Sequence, residues 1–410
     1  MEPVTVARLQ FATTASLHFL FVLLTLGLAT MVAVLQTRHT LGGKPVLLRM
    51  TRFWGHLYVI NYVVGIGTGI VLEFQFGLSW TGLTAFAGDV FGAPLAVETL
   101  VAFFLEATFL GLWIFGWGRL NRWLHLALIW LVVLTAVASA FWVMVANSFL
   151  QNPVGHRLEN GVARLDDFGA LLANPSLWSA LWHILTAGLL TAGFFMAGIS
   201  AYHFIRRTRE ADFFRRSLRL GLLTAAVASV FVVGTGFAQF SVLEQVQPGK
   251  LAGTTEQAAL QAAGVARFGP GDYLPPPFTG DLLGTMIGLG FVLMLVSWLA
   301  SLLLVRDWVV RWRVPLYVLV AVIPVPFVAA TCGWLFREIG RQPWLVNGLL
   351  RTSDAVSPVG AGSMLVAYIA FTVILAGLVV TDWVLIARVA KRGPVPVNEP
   401  TVPVPAMTTL

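Results

Sequence analysis

Residues 314–344 read VPLYVLVAVIPVPFVAATCGWLFREIGRQPW. From Val314 to Phe336 no residue is charged. A bilayer core takes about 20 apolar residues to cross as a helix, so this run is long enough to span it. Arg337, Glu338 and Arg341 then arrive where a span should fade into headgroups, and Trp344 closes the stretch. Acid and bases at that depth cost free energy unless they are paired or put to use.

The pattern recurs along the chain of 410 residues, which is 58% hydrophobic and 11% charged. Nine stretches are long and apolar enough to span: about 14–37, 56–74, 94–116, 124–148, 178–204, 217–238, 281–305, 314–336 and 361–388. This predicts an all-α polytopic membrane protein, and the composition excludes a soluble domain of this size. The first stretch is too long for a signal peptide and lacks a small-residue cleavage site, so it reads as a span. One cysteine, Cys332, lies inside a span, which excludes an internal disulfide and a thiolate metal cluster. Residues 1–392 are expected to form one transmembrane unit. The Pro/Val-rich tail over 393–410 is expected to be disordered.

Positive charge sets the orientation. The connections after the first, third, fifth and seventh spans, with the tail, hold 18 of the 26 Lys and Arg. Six of these lie between Arg206 and Arg219. The N-terminus is therefore expected outside and the C-terminus in the cytoplasm. The net charge of +7 is a topology signal, and nucleic-acid binding is not implied.

With that orientation, depth follows at about 1.5 Å per residue. His18, Glu98, His183 and Met286 lie just inside spans that enter from outside. Glu73 and Glu338 lie near the outer ends of spans that run outward. The six share one slab near the outer face, and Glu106 lies two turns deeper than Glu98. His, Met and Glu in an apolar helical bundle point to haem, because a His/Met axial pair holds low-spin iron at raised potential. Packing, hydrogen bonding or an interfacial ion pair remain open for each residue taken singly. His39, His56, His125 and His203 fall near cytoplasmic ends and His156 in an outer loop, where interfacial or solvated positions are expected.

Several stretches carry more than spacing. They are RLQFATTASLHFLFVLLTLGLA (8–29), TRFWG (51–55), EFQFG (73–77), GDVFGAPLAVETLVAFFLEATFLGLWIFGW (88–117), VANSFLQNPVG (145–155) and GRQPW (340–344). In this order, and across nearly the whole chain, they resemble subunit I of the cytochrome bd family of terminal oxidases. The resemblance implies a multi-pass protein of a bacterial or archaeal cytoplasmic membrane. Its partner would be a homologous subunit II, with a small single-span subunit as a further candidate. It implies a low-spin haem b, a high-spin haem b, and haem d or a third haem b. Electrons would pass from quinol at the outer face to the high-spin pair, where dioxygen becomes water. A proton gradient would arise without pumping, from protons released outside and taken up inside.

Residue by residue, the resemblance makes His183 and Met286 the low-spin ligands and His18 and Glu338 the high-spin ligands. Glu98 becomes the carboxylate beside that pair, and Trp334 a cofactor contact near Glu338. Which high-spin haem each ligand holds stays open. Glu106 and Ser139 match proton-route positions. Arg341 is suited to neutralise Glu338 or a haem propionate through its planar fork.

The donor region departs from the family pattern. In QPGKLA (247–252) Lys250 stands for the quinol-contacting lysine, but the glutamate expected five residues on is Thr255, with Glu256 one later. The connection over about 239–280 is short. Gly284 replaces an arginine two residues before the methionine ligand, and Phe237 an aspartate. The leading expectation is a quinol:oxygen oxidoreductase subunit. The alternative is a divergent haem-binding paralogue with an altered donor or no turnover. A transporter is a third reading, and it would need broken helices or internal repeats, neither of which is expected here.

Overall fold

The computed structural model describes residues 2–395. Nine segments among them are long and apolar enough to cross a membrane. That is the expected number, and the helices overrun their apolar centres. α1 runs Pro3–Gly42 and α2 Pro45–Ser79. Each begins on a proline, whose missing N–H falls where the helix has no acceptor to offer it. α1 ends on Gly43 in the left-handed conformation, the usual way to turn a chain out of a helix.

The third span is two helices, α3 (Thr81–Val97) and α4 (Phe104–Phe115), joined by a π-helical turn over Glu98–Phe103. Pro94 lies inside α3 and removes one rung of its ladder just before the turn. α5 (Arg122–Gln151) starts at Asn121, whose side chain accepts from the backbone N–H groups of Trp123 and Leu124. A hairpin follows, β1 (His156–Glu159) paired with β2 (Val162–Leu165). Its turn is Asn160–Gly161, both at positive φ, the preferred chemistry for a two-residue connection. The short α6 (Phe168–Leu172) leads into α7 (Pro175–Ile205) and α8 (Ala211–Val246).

The connection between the sixth and seventh spans is less open than 239–280 suggested. α8 continues to Val246, a 3-10 turn covers Pro248–Lys250, and α9 forms over Thr254–Phe268. α10 (Thr279–Leu302) and the short α11 (Trp308–Arg311) follow. The eighth span corrects the expectation of unbroken helices. It divides into α12 (Arg313–Ala321) and α13 (Val325–Ile339). Pro324 and Pro326 lack the N–H that would continue the ladder, and each disfavours helix in the residue before it. β3 (Trp344–Val346) then pairs antiparallel with β4 (Leu350–Arg351), followed by α14 (Thr352–Ala355) and α15 (Ala361–Arg392). Arg351 ties α9 to this hairpin by donating to Phe268 O at 3.2 Å and to the Tyr273 hydroxyl. From residue 396 onward the expected tail lies outside the described residues.

α7 is the most enclosed span, packed between α1 and α8. Lipid gives helices no hydrophobic reason to associate, so close backbone approach at small residues carries the packing. Gly27 of α1 lies against the Gly188 carbonyl of α7, and Gly193 of α7 against Gly221 and Ala225 of α8. A Cβ at Gly27 would overlap the Gly188 backbone, which cannot rotate away. Gly27→Ala is therefore expected to destabilise the protein by about 1–3 kcal/mol. Gly42→Ala, where a Cβ meets nothing, is expected to stay within about 0.5 kcal/mol. Unfolding temperatures of the purified complex would separate the two.

Candidate functional site

His183 of α7 and Met286 of α10 line one cavity between α7, α8, α10 and α13. Its interior volume is about 160 Å³, and its lining is mostly apolar. His183 Nδ1 lies 3.0 Å from the Val232 carbonyl. A carbonyl only accepts, so Nδ1 carries the proton and Nε2 keeps its lone pair for a metal. Glycines face both side chains. A Cβ at Gly236 would lie 3.2 Å from His183 Cε1, and one at Gly333 would fall on Met286 Sδ. Both side chains thus pack closely on a glycine backbone while lining the same cavity.

Phe19 and Trp334 form part of the cavity wall and stack at 5.4 Å. His18, next in the chain to Phe19, reaches α2, where its Nδ1 lies 2.8 Å from Thr68 Oγ1. Thr68 Oγ1 donates its own proton to Gly65 O at 2.6 Å, so it accepts from His18. The consequence matches His183, with Nδ1 protonated and Nε2 free to bind.

Glu338, one turn beyond Trp334 on α13, is 5% exposed. Its Oε2 accepts from Arg341 Nη2 at 2.9 Å. Its Oε1 accepts from Asn147 Nδ2 at 2.9 Å and Gln151 Nε2 at 3.2 Å. Arg337 Nε donates to Asn147 Oδ1 at 2.7 Å. Lys250 Nζ donates to Arg337 O at 2.8 Å and Gln151 Oε1 at 3.1 Å. Three basic side chains therefore surround a single carboxylate. Arg337 Nη2, Arg341 Nε and Nη1, and Trp334 Nε1 are buried without a protein acceptor. Buried donors require acceptors, and this surplus of positive charge and N–H groups suits an anionic ligand such as a haem propionate. Among the described residues no three His, Cys, Asp or Glu converge as a bare-ion site. The donor set fits iron that brings its own in-plane nitrogens.

Glu98 opens the π-helical turn, where a wider turn rotates Glu106 back toward the same side. Ser139 Oγ of α5 donates to Glu98 Oε1 at 2.5 Å. Thr99 Oγ1 lies between Glu98 Oε2 (3.2 Å) and Glu73 Oε1 (2.6 Å). Glu73, an exposed residue, is thereby linked to Glu98. Glu106 is buried, and its Oε1 has no partner. Among the described residues no hydrogen bond joins His18 to Glu98 or Glu338.

The pair expected at the donor site is separated in character. Lys250 is buried, and burial, with Arg337 and Arg341 close by, holds its amine well below the usual lysine range. Glu256 is exposed and caps α9 by accepting from Gly253 N at 3.1 Å. His125 and His203, expected at an interface, are buried and satisfied instead. His125 binds Gln36 and the Trp113 carbonyl, and His203 the Ala390 carbonyl. Thr68, Asn147, Gln151 and Arg337 had no assigned role in the sequence. Asn147 and Gln151 are four residues apart on a helix, hence on one face, and that spacing was available as a signal.

Residues 6–272 and 254–394 match the family model described as cytochrome bd terminal oxidase subunit I. The chain is 39% identical to cytochrome bd ubiquinol oxidase subunit 1 of Bacillus subtilis (strain 168) over 457 residues, 98% of this chain and 97% of the relative. It is 29% identical to cytochrome bd-II ubiquinol oxidase subunit 1 of Escherichia coli (strain K12), covering 96% and 97%. The solved bd oxidase from Geobacillus thermodenitrificans superposes with a TM-score of 0.85 at 27% identity, covering 96% of this chain and 99% of that one.

Arg341→Ala would leave Glu338 buried without its closest counter-charge, and a broken buried pair costs about 3–5 kcal/mol. Thermal unfolding of the complex should show that loss, with Arg341→Lys recovering part of it.

Proposed function

Because the chain belongs to the cytochrome bd terminal oxidase subunit I family, we propose that it is the haem-bearing subunit of a quinol:oxygen oxidoreductase. The observation that carries this reading is the cavity shared by His183 and Met286 beneath unpaired Arg and Trp donors. When bound, the haems supply electron transfer and the four-electron reduction of dioxygen to water.

The chain's own residues hold, orient and neutralise. His183 Nε2 and Met286 Sδ would hold a low-spin haem b. His18 and Glu338 would each hold a high-spin centre, a haem b and either haem d or a third haem b. Glu98 stands beside them. Val232 O and Thr68 fix the two imidazole tautomers. Arg337, Arg341 and Trp334 would receive haem propionates, which would answer their unpaired N–H groups. The Phe19–Trp334 stack walls the low-spin cavity on the side of His18. Glu106 and Ser139 carry protons from the cytoplasmic side to Glu98 and the oxygen site. Residues 1–392 act as one transmembrane unit with the N-terminus outside, in a bacterial or archaeal cytoplasmic membrane. The partner is subunit II, with a small single-span subunit as a further candidate. The gradient comes from uptake and release on opposite faces, without a pump.

The electron donor is the point where a second reading has support. Glu256 spends its carboxylate on a helix cap and does not join Lys250. A membrane carrier other than ubiquinol or menaquinol suits that arrangement.

A reduced-minus-oxidised spectrum of membranes holding this chain and its cognate subunit II tests the proposal. Low-spin haem b bands are expected. His183→Ala and Met286→Leu are each expected to remove them while high-spin absorbance remains. Oxygen uptake driven by ubiquinol or menaquinol decides the donor, and normal rates with either would exclude the second reading. No haem signal from well-expressed complex would overturn all four ligand assignments.

A further inference from the structure

Three buried oxygens near the third span have no protein partner: Glu106 Oε1, Tyr58 OH and Tyr62 OH. Their residues are 5%, 0% and 7% exposed. Tyr58 and Tyr62 lie one turn apart on α2, with ring centroids 5.9 Å apart.

The register between α2 and α4 brings them together. Gly55 of α2 is where Trp113 of α4 comes closest, since a Cβ there would lie 2.7 Å from Trp113 Cη2. The two helices belong to consecutive spans and run in opposite directions. Seven residues on along α2 is Tyr62, and seven back along α4 is Glu106. Each step is about 10.5 Å, two turns, and returns to nearly the same face. Tyr62 and Glu106 are therefore level and face one another, with Tyr58 one turn nearer the cytoplasmic end of α2. Seven residues beyond Tyr62 is Gly69, against which His18 Cε1 lies. One stripe of α2 thus runs from Trp113, past Glu106, to the ring of His18. Among charged groups, Glu106 acts through space on both phenols and Glu98 also reaches Tyr62.

We propose that Tyr58 and Tyr62 extend the proton route of Glu106, Tyr58 on its cytoplasmic side and Tyr62 between Glu106 and the His18 end of the stripe. The inference rests on the proton role assigned above to Glu106. Water bridging the three oxygens satisfies each of them, and a buried polar site of this kind is where water is held. A phenol or carboxyl oxygen takes a proton on its lone pair as its own proton leaves for the next oxygen. Each relay group ends unchanged, no electron moves along the chain, and the net transfer is one proton from the cytoplasmic water to the oxygen site.

The test uses the fully reduced complex with subunit II, mixed with oxygen in H₂O and in D₂O, with an indicator dye reporting proton uptake. Tyr→Phe keeps the ring and removes the hydroxyl. Tyr62→Phe is expected to keep the haem spectrum and to slow proton uptake roughly tenfold, the scale of one hydrogen bond lost from a barrier. The D₂O effect should grow. Glu106→Gln should slow the same phase, and the double variant should be no slower than the worse single, as expected for one shared route. Wild-type uptake in both Tyr62→Phe and Tyr58→Phe/Tyr62→Phe, with Glu106→Gln slow, would remove the phenols from the route. Additive losses would place them on a separate one and overturn the relay. Wild-type uptake in Glu106→Gln would sink the Glu106 route, and the relay with it.

Discussion

Glu338 and Arg341 face each other at 2.9 Å with side chains 5% and 2% exposed. Removing two such ions from water costs several kcal/mol each, and attraction alone does not repay that without further hydrogen bonds. The surrounding structure supplies them. α5 contributes Asn147 and Gln151, the turn after α8 contributes Lys250, and α13 contributes Arg337. Three separate parts of the chain converge around one carboxylate. Their meeting holds the C-terminal ends of α5, α8 and α13 together around the mouth of the candidate haem cavity. The surplus of basic groups over acids in that network is also what makes the site ready for an anionic cofactor.

Regular helices would not place these groups. In the third span a π-helical turn begins at Glu98 itself, after Pro94 has weakened the ladder. The eighth span breaks at Pro324 and resumes as α13, which carries Trp334, Arg337 and Glu338. Away from both irregularities, the bundle is held by glycine and alanine contacts along α7, where backbones approach too closely for larger side chains.

The side chains proposed as iron ligands are held by neighbouring residues. Val232 O and Thr68 decide which imidazole nitrogen is free, and Gly69, Gly236 and Gly333 clear the surfaces against which His18, His183 and Met286 lie. Such outer partners fix ring orientation and tautomer, and losing one commonly costs metal affinity as a ligand substitution does.

Nine spans among the described residues and the helical class followed from the sequence alone. Hydrocarbon admits only segments that satisfy their own backbone, so apolar length specifies a spanning helix, and an ionisable group within one stands out against that background. The register between helices could not be read that way. Lipid-facing and helix-facing residues are equally apolar, so no amphipathic stripe announces which face meets which neighbour. Asn147 beneath Glu338, Thr68 beside His18 and Tyr62 level with Glu106 are therefore products of packing. The burial of Lys250 and the capping role of Glu256 belong with them, because a short connection can fold inward or outward at the same composition. The close approach of backbones at Gly27, Gly188, Gly193 and Gly221 fixes the register of α1, α7 and α8, and packing of this kind decides which polar groups meet.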